Sequence, residues 1–122
     1  METIRQLYKI GNGPSSSHTM GPKNAAIRFL DRNAGKNVAR YEVTLYGALA
    51  ATGVGHLTDK AILDVLTPHA VTEIVWQPEI VLPFHTNGMI FRAYDASGKE
   101  LDSWTVYSVG GGDILEEGQT KQ

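Results

Sequence analysis

Three loops rich in glycine or serine each carry one histidine, the side chain best suited to exchange protons near neutral pH. His18 follows a run of three serines, and His56 follows a glycine. His85 stands two residues before Asn87 in a loop bounded by a proline. None of these histidines falls on an apolar stripe. We therefore predict that they share a polar pocket and act there as general acids or bases.

The first of these loops, residues 11–22 (GNGPSSSHTMGP), predicts an anion-binding site. Its glycines leave backbone N–H groups available just before a helix, and its hydroxyls add donors toward a carboxylate or phosphate. The hydroxyls concerned are those of Ser15, Ser16, Ser17 and Thr19. A plain helix cap would use one such hydroxyl, but no cap requires the imidazole of His18. The loop is not a P-loop, because no Gly-Lys-Ser/Thr follows.

The second loop places His56 just before a predicted helix. The dipole of that helix would disfavour protonation of the imidazole and keep it neutral. An ordinary turn histidine, half exposed to solvent, is the alternative interpretation. The fourth histidine, His69, lacks glycine and serine neighbours and is predicted to lie in a surface loop. No H-x-x-x-H or H-E-x-x-H spacing occurs, so no metal site is expected from these histidines.

A predicted hairpin brings the third loop close to a second segment. Strands predicted over 89–94 and 101–109 flank a turn at residues 95–98. The residues before the first strand and those ending the second therefore lie at the same end of the sheet. This geometry predicts that His85, Asn87 and Ser108 lie within reach of one another. An ordinary Asn-Gly turn is the alternative interpretation of the same loop.

The elements that must position these loops belong to one predicted domain, residues 1–122. After an amphipathic opening at residues 1–10, helices are predicted over 20–33, 48–53 and 58–66, and strands over 41–46, 72–76, 89–94 and 101–109. A hydroxyl of the serine run should cap the first helix, and Thr58 the last. Residues 113–122 show no packing pattern and predict a frayed or truncated end. The order predicts an α+β fold, a two-layer domain with helices packed on a mixed, largely antiparallel sheet.

Composition excludes several classes of function. Eleven Lys and Arg against thirteen Asp and Glu give a formal net charge of −2, so no nucleic-acid partner is expected. No apolar run reaches the roughly 18–20 residues of a membrane span, and no signal-peptide pattern opens the chain, which predicts a cytoplasmic protein without a membrane partner. The sequence contains no cysteine. Disulfides, thiol nucleophiles and cysteine-ligated metal centres built from this chain are therefore excluded.

Four segments occur in the order GNGPSSSHTMGPKNAA, YGALAATGVGHLTDKA, HTNGM and YSVGGG. Together they resemble the β domain of the bacterial iron–sulfur L-serine dehydratases (L-serine ammonia-lyases), from about Ile4 to Gly112. The resemblance implies deamination of L-serine to pyruvate and ammonia, in serine degradation and gluconeogenesis. It implies a [4Fe–4S] cluster that acts as a Lewis acid on the serine hydroxyl. It also implies a fold similar to the allosteric substrate-binding domain of phosphoglycerate dehydrogenase.

The same resemblance implies that the cluster is ligated by a cysteine-bearing α domain or α subunit and not by this chain. This chain would then be an isolated β subunit or a part of a fused enzyme, inactive alone. The implied catalytic residues are His18, His56, His85 and Ser108, and the implied substrate-binding residues are Ser15, Ser16, Ser17, Thr19 and Asn87. Either His56 or His85 suits the proton transfer, and the sequence does not choose between them.

A non-catalytic regulatory domain that binds serine or a small anion is the alternative function. A homo-oligomer is expected under either function, and the strand predicted at Met89–Tyr94 is a candidate edge strand for pairing between subunits. Whether serine or threonine is preferred is left open at this point.

Overall fold

One mixed sheet of five strands and three helices make up the described part of the chain. The computed structural model describes residues 19–53 and 57–116. The helices are α1 (Gly21–Arg32), α2 (Gly47–Gly53) and α3 (Thr58–Leu66), and the strands are β1 (Arg40–Tyr46), β2 (Val71–Gln77), β3 (Gly88–Tyr94), β4 (Glu100–Gly110) and β5 (Asp113–Glu116). The strand order is β2-β1-β3-β4-β5, with β1 and β2 parallel and the other pairs antiparallel. The prediction of an α+β fold with a mixed, largely antiparallel sheet is confirmed.

The core lies between the sheet and α1 and is centred on Phe29. The Phe29 ring lies 5.4 Å from Phe91, 6.0 Å from Tyr41 and 6.1 Å from Trp104, measured between ring centroids. Burial of such side chains stabilises a fold by about 1.5–3 kcal/mol each. This packing fixes α1 against the sheet and so sets where its first turn lies. Among the helices of the described residues, none has the length and apolar character needed to cross a membrane.

The predicted cap by Thr58 does not form, and the serine run predicted to cap the first helix lies outside the described residues. Helix α1 begins after Met20, whose backbone is already helical, and no side chain caps it. Pro22 in its first turn lacks an N–H and so reduces the number of donors that need a partner. Helix α3 begins after Leu57, which adopts a left-handed backbone (φ 61°, ψ 32°). Thr58 is therefore the first helical residue rather than the cap, because the chain turns into the helix through backbone conformation alone.

Two predictions about the strands are wrong. Strand β3 lies between β1 and β4, so Met89–Tyr94 is an interior strand and not an edge strand. Residues 113–116 form β5 and pair with β4, so the chain does not fray there. The turn at residues 110–112 uses three glycines with positive φ, which redirects the chain into β5. Residues 1–10 and 117–122 lie outside the described residues.

A short connection joins α3 to β2. It consists of residues 67–70, and the N–H of His69 donates to the carbonyl oxygen of Leu66 over 2.9 Å. His69 is exposed there, which confirms its predicted place in a surface loop.

Candidate active site

Asn87 and Ser108 are joined where β3 begins and β4 ends. The Ser108 N–H donates to the Asn87 carbonyl oxygen over 3.0 Å, and Asn87 Nδ2 donates to the Ser108 carbonyl oxygen over 3.3 Å. Asn87 is 8% exposed, and Ser108 is fully buried. The hairpin register therefore brings these residues together, as predicted.

His85 is attached to the same pair through the backbone. The Asn87 N–H donates to His85 Nδ1 over 3.0 Å. Because Nδ1 accepts this hydrogen bond, the neutral ring carries its proton on Nε2. The half-buried His85 ring thus presents a donor, rather than an acceptor, at its outer nitrogen. The predicted proximity of His85 to Asn87 is confirmed.

The amino-terminal turn of α1 lies directly against Ser108. A Cβ placed on Gly21 would overlap the Ser108 hydroxyl and lie 2.8 Å from Ser108 Cβ. Only glycine allows this approach without displacement of the strand. Asn24, one turn further along the helix, donates from Nδ2 to the Gly112 carbonyl oxygen over 2.8 Å. The first turns of α1 therefore contact the end of β4 at Ser108 and the following turn at Gly112.

Thr86 links the third loop to helix α2. Its Oγ1 accepts a hydrogen bond from the Ala48 N–H over 3.0 Å, at the start of the helix. Gly47 has a φ of 54°, and a Cβ there would lie 2.5 Å from the Thr86 carbonyl oxygen. Sequence reasoning missed Thr86, although a hydroxyl between His85 and Asn87 was the available signal. This contact joins the segment YGALAATG to the segment HTNGM.

Asn87 also carries an acceptor that the described residues leave unused. Its Oδ1 is buried and has no hydrogen-bond partner among residues 19–53 and 57–116. A buried acceptor without a donor costs about 1–3 kcal/mol, so such groups are generally paired in a functioning protein. The geometry therefore suits a ligand that brings an N–H or O–H group to Asn87.

A cavity of about 260 Å³ lies between the starts of α1 and α3. Its lining includes Thr19 and Leu57, which are the described neighbours in sequence of His18 and His56. The remaining lining residues are Lys23, Lys60, Ala61 and Asp64. Lys60 is paired with Asp64 over 3.1 Å at the surface. Lys23 and the amino-terminal ends of α1 and α3 therefore border the same cavity. This combination favours the binding of anions.

Five of the predicted site residues fall outside the described part of the chain. They are Ser15, Ser16, Ser17, His18 and His56. The convergence of the three predicted histidines in one pocket therefore stays a prediction, while the junction of His85, Asn87 and Ser108 is a structural observation.

No metal-ligand cluster is formed by the described residues. Within 19–53 and 57–116, no three His, Cys, Asp or Glu side chains could hold a metal ion together. The whole sequence lacks cysteine, the usual ligand of iron–sulfur clusters. The donor set of this chain therefore does not fit such a cluster.

An ion pair with two hydrogen bonds lies at the opposite end of α1 from Gly21. Arg32 donates to both Asp102 carboxylate oxygens over 2.8 and 3.0 Å, and Asn33 Nδ2 donates to Asp102 over 3.0 Å. Burial raises the pKa of Asp102, but the hydrogen bonds from Arg32 and Asn33 outweigh it, so the net pKa is lowered. The Arg32 guanidinium also lies over Trp104, 5.1 Å from the ring centroid. This cluster fastens α1 to β4 and acts on stability rather than on the site.

The sequence matches the family model of the serine dehydratase beta chain over residues 3–71 and 66–119. The chain belongs to this family. Its curated relatives include L-serine dehydratases of Streptomyces coelicolor (36% identical over 94% of this chain), Helicobacter pylori strain J99 (34% over 94%) and Haemophilus influenzae (34% over 96%). The resemblance inferred from the four sequence segments is confirmed.

This serine dehydratase beta chain aligns with only part of each relative. It spans about a third of the length of each (34%, 33% and 34%). The alignments also extend over 150–155 positions, although this chain has 122 residues. The family match falls into two parts that meet at residues 66–71. The relatives therefore carry additional residues within the matched region.

Proposed function

We propose that this chain is the β part of an L-serine dehydratase, which deaminates L-serine to pyruvate and ammonia with an α domain or subunit. The observation that carries this proposal is the junction of His85, Asn87 and Ser108 beneath the start of α1. Family membership supports it, since the curated relatives are named L-serine dehydratase. The complete enzyme is a carbon–nitrogen lyase in this proposal, and the chain alone is inactive.

Substrate binding in this proposal uses donors and acceptors on opposite sides of L-serine. The start of α1, preceded by Thr19 and the hydroxyls of Ser15, Ser16 and Ser17, binds the carboxylate. The ammonium group donates to Asn87 Oδ1, the buried acceptor that has no partner among the described residues. Such pairing would remove the free-energy cost of the unused acceptor and orient the amino acid. Ser108 lies beside Asn87 and contributes its hydroxyl.

The reaction requires a base for the α-proton and the departure of the β-hydroxyl as water. The resulting aminoacrylate tautomerises to an imine, which water hydrolyses to pyruvate and ammonia. His85 already uses Nδ1 as an acceptor, so its neutral ring holds a proton on Nε2. A ring in this state donates to the substrate or to the departing oxygen rather than removing a proton. We therefore assign proton abstraction to His56, with His18 as a further proton carrier.

The iron–sulfur cluster belongs to the α domain in this proposal. This chain offers no cysteine, and its described residues offer no metal-ligand cluster. Its own residues therefore bind, orient and exchange protons with the substrate. We also propose that the fold is similar to the allosteric substrate-binding domain of phosphoglycerate dehydrogenase.

The experiment reconstitutes the chain with the cysteine-bearing α partner encoded in the same genome and measures pyruvate formation from L-serine. His85→Gln keeps an N–H donor near the Nε2 position, whereas His85→Asn keeps an acceptor near the Nδ1 position. If His85 is a donor, His85→Gln retains more activity than His85→Asn. His56→Gln, the matched variant at the proposed base, lowers turnover about 10²–10⁴-fold, and the residual rate lacks the pH dependence that a titrating base creates. Full activity in His56→Gln would contradict the assignment.

A regulatory domain that binds serine or a small anion is the second candidate, favoured by the cavity beside Thr19 and Lys23. Titration calorimetry with L-serine separates the two functions. The catalytic proposal predicts weak or absent heat with the chain alone, since half of the site is missing. Saturable binding by the isolated chain, together with no pyruvate after reconstitution, would favour the regulatory function.

A further inference from the structure

Thr86 stands between His85 and Asn87 in the chain and contacts helix α2 with both its side chain and its backbone. Its Oγ1 accepts the hydrogen bond from the Ala48 N–H over 3.0 Å. A Cβ on Gly47 would lie 2.9 Å from Thr86 Oγ1 and 2.5 Å from the Thr86 carbonyl oxygen. The absence of a side chain at Gly47 therefore lets α2 approach the Thr86 backbone directly.

Helix α2 takes its partner from this distant loop because the strand before it offers no cap. Strand β1 ends at Tyr46 and α2 begins at the next residue, Gly47, so no loop residue separates them. Tyr46 lacks the short side-chain acceptor that usually caps the first N–H groups of a helix. The Thr86 hydroxyl supplies an acceptor from 38 residues beyond Ala48. The start of α2 and the loop of residues 85–87 therefore fix each other's position.

The peptide group between Thr86 and Asn87 extends this contact to His85. Its carbonyl oxygen lies on the side of Gly47, and its N–H donates to His85 Nδ1 over 3.0 Å. The peptide is trans, and a trans peptide is rigid and planar, with its oxygen and its N–H on opposite sides. A rotation of this plane that moved the oxygen relative to α2 would therefore turn the N–H away from His85.

The direction of that N–H determines how His85 presents its ring. While Nδ1 accepts from Asn87, the neutral ring holds its proton on Nε2, and rotation of the ring breaks the hydrogen bond. Without this donor, Nδ1 can carry the proton itself, and Nε2 then becomes an acceptor. A change at Thr86 would thus reach the outer nitrogen of His85 through one peptide group.

We propose that Thr86 is a positioning residue, whose hydrogen bond to α2 holds the Thr86–Asn87 peptide so that His85 presents an Nε2–H donor to the substrate. The use of this donor in the reaction rests on the function proposed above, whereas the orientation of His85 does not. Thr86 touches no reacting atom and acts through His85. The alternative is a cap for α2 alone, a structural role in which loss of the hydroxyl leaves the state of His85 unchanged.

Thr86→Val tests this link, because valine keeps the branched shape of threonine but cannot accept a hydrogen bond from Ala48. Thr86→Ser restores the hydroxyl and is the rescue variant. Thr72→Val is the matched control. The Thr72 hydroxyl also makes a 3.0 Å hydrogen bond with the backbone, to the Ala70 carbonyl oxygen, but it lies in β2, outside the site.

The state of His85 is measured by ¹⁵N NMR of the chain alone, at a pH where the imidazole is neutral, with His85→Gln to assign the ring signals. The shifts of Nδ1 and Nε2 report which nitrogen carries the proton, and a scalar coupling between Asn87 N and His85 Nδ1 reports the hydrogen bond. We expect this coupling in the wild-type chain, Thr86→Ser and Thr72→Val. In Thr86→Val the coupling is lost, and the two ring shifts move toward each other because both nitrogens share the proton.

A folded Thr86→Val chain with the wild-type coupling and ring shifts would overturn the proposal. A wild-type chain without the coupling would also overturn it, as would an equal change in Thr72→Val. Circular dichroism shows whether each variant is folded. If Thr86→Val unfolds, Thr86→Ala removes the hydroxyl without an apolar branch and decides the question in its place.

In the reconstituted enzyme, the same variants separate this inference from the function on which it rests. Thr86→Val should lower kcat between roughly 10-fold and 10²-fold with a smaller change in KM, because the His85 donor is displaced rather than removed. Thr86→Ser should recover most of the loss. Altered ring shifts with an undiminished kcat would contradict the positioning role. No pyruvate from the wild-type mixture would contradict the proposed function, and the NMR result alone would then decide whether Thr86 orients His85.

Discussion

Asn87 and Ser108 exchange two hydrogen bonds, one between their backbones and one from the Asn87 amide to the Ser108 carbonyl oxygen. Asn87 Nδ2 is thereby fixed, and the orientation of Oδ1 is fixed with it. Since the same junction also holds His85 through the Asn87 N–H, three side chains are positioned by one hairpin end. Such positioning by strand ends rather than by a free loop suits a site that must bind a small substrate in one orientation.

Removal of the Ser108 hydroxyl should affect activity far more than folding. Ser108→Ala keeps the Cβ that lies near Gly21 and the two hydrogen bonds that the Ser108 backbone makes with Asn87. We expect a loss of stability of no more than about 1.5 kcal/mol, the usual net value of one hydrogen bond. Turnover of the reconstituted enzyme should fall about 10²-fold, as when a polar group is removed from a catalytic site. Thermal unfolding and pyruvate formation measure the two effects; unchanged turnover would exclude Ser108 from the site.

Gly21 should tolerate no side chain while Ser108 is present. Gly21→Ala places a methyl group against the Ser108 side chain, and overpacking of this kind costs about 1–3 kcal/mol. Urea denaturation checks the loss. The double variant Gly21→Ala with Ser108→Gly removes the obstructing side chain and should recover most of the stability lost by Gly21→Ala. If the double variant instead loses as much free energy of unfolding as the two single variants together, the two residues do not touch.

Replacement of Leu57 by glycine should increase the stability of the fold. Leu57 adopts a left-handed backbone conformation, which costs most residues about 1–2 kcal/mol. The side chain is 57% exposed, so little apolar burial is lost in Leu57→Gly. After the entropy cost of glycine in the unfolded chain, we expect a net gain of about 0.5–1 kcal/mol. The midpoint of urea denaturation reports it. Leu57→Ala, which relieves no backbone strain, is the control and should give no gain.

Asp102 should contribute to stability only above the pH at which its carboxyl ionises. Its pKa in the folded chain lies below the ordinary value of 3.8, so the contribution is present above that value and lost as the pH falls through the lower folded value. Asp102→Asn should therefore cost about 1–2 kcal/mol near neutral pH and progressively less below about pH 4. Denaturation at a series of pH values measures the difference. Asp64→Asn, at an exposed pair with Lys60, should change stability by less than about 0.5 kcal/mol throughout.

The proximity of Asn87 and Ser108 was predictable from the sequence, because a short turn joins the two strands near whose ends they lie. The turn at residues 95–98 pairs β3 with β4, and a one-residue register shift between Ala93 and Tyr94 then places Asn87 beside Ser108. The left-handed start of α3 was not predictable, since leucine rarely adopts that conformation and Thr58 offered a plausible cap. Strand β5 was missed because its four residues are too few for a period to emerge from an acidic background. The interior place of β3 depends on pairing with the distant β1, which no local pattern encodes.

The reconstituted rate of L-serine deamination, compared between the wild-type chain and Asn87→Ala, tests the central claim most directly. With the cluster-bearing α partner present, the wild-type chain should produce pyruvate, and neither component should do so alone. Asn87→Ala should lower kcat/KM about 10²-fold while the chain remains folded and still assembles with the partner. No pyruvate from the wild-type mixture, or an undiminished rate with Asn87→Ala, would contradict the assignment of this junction as half of a serine dehydratase active site.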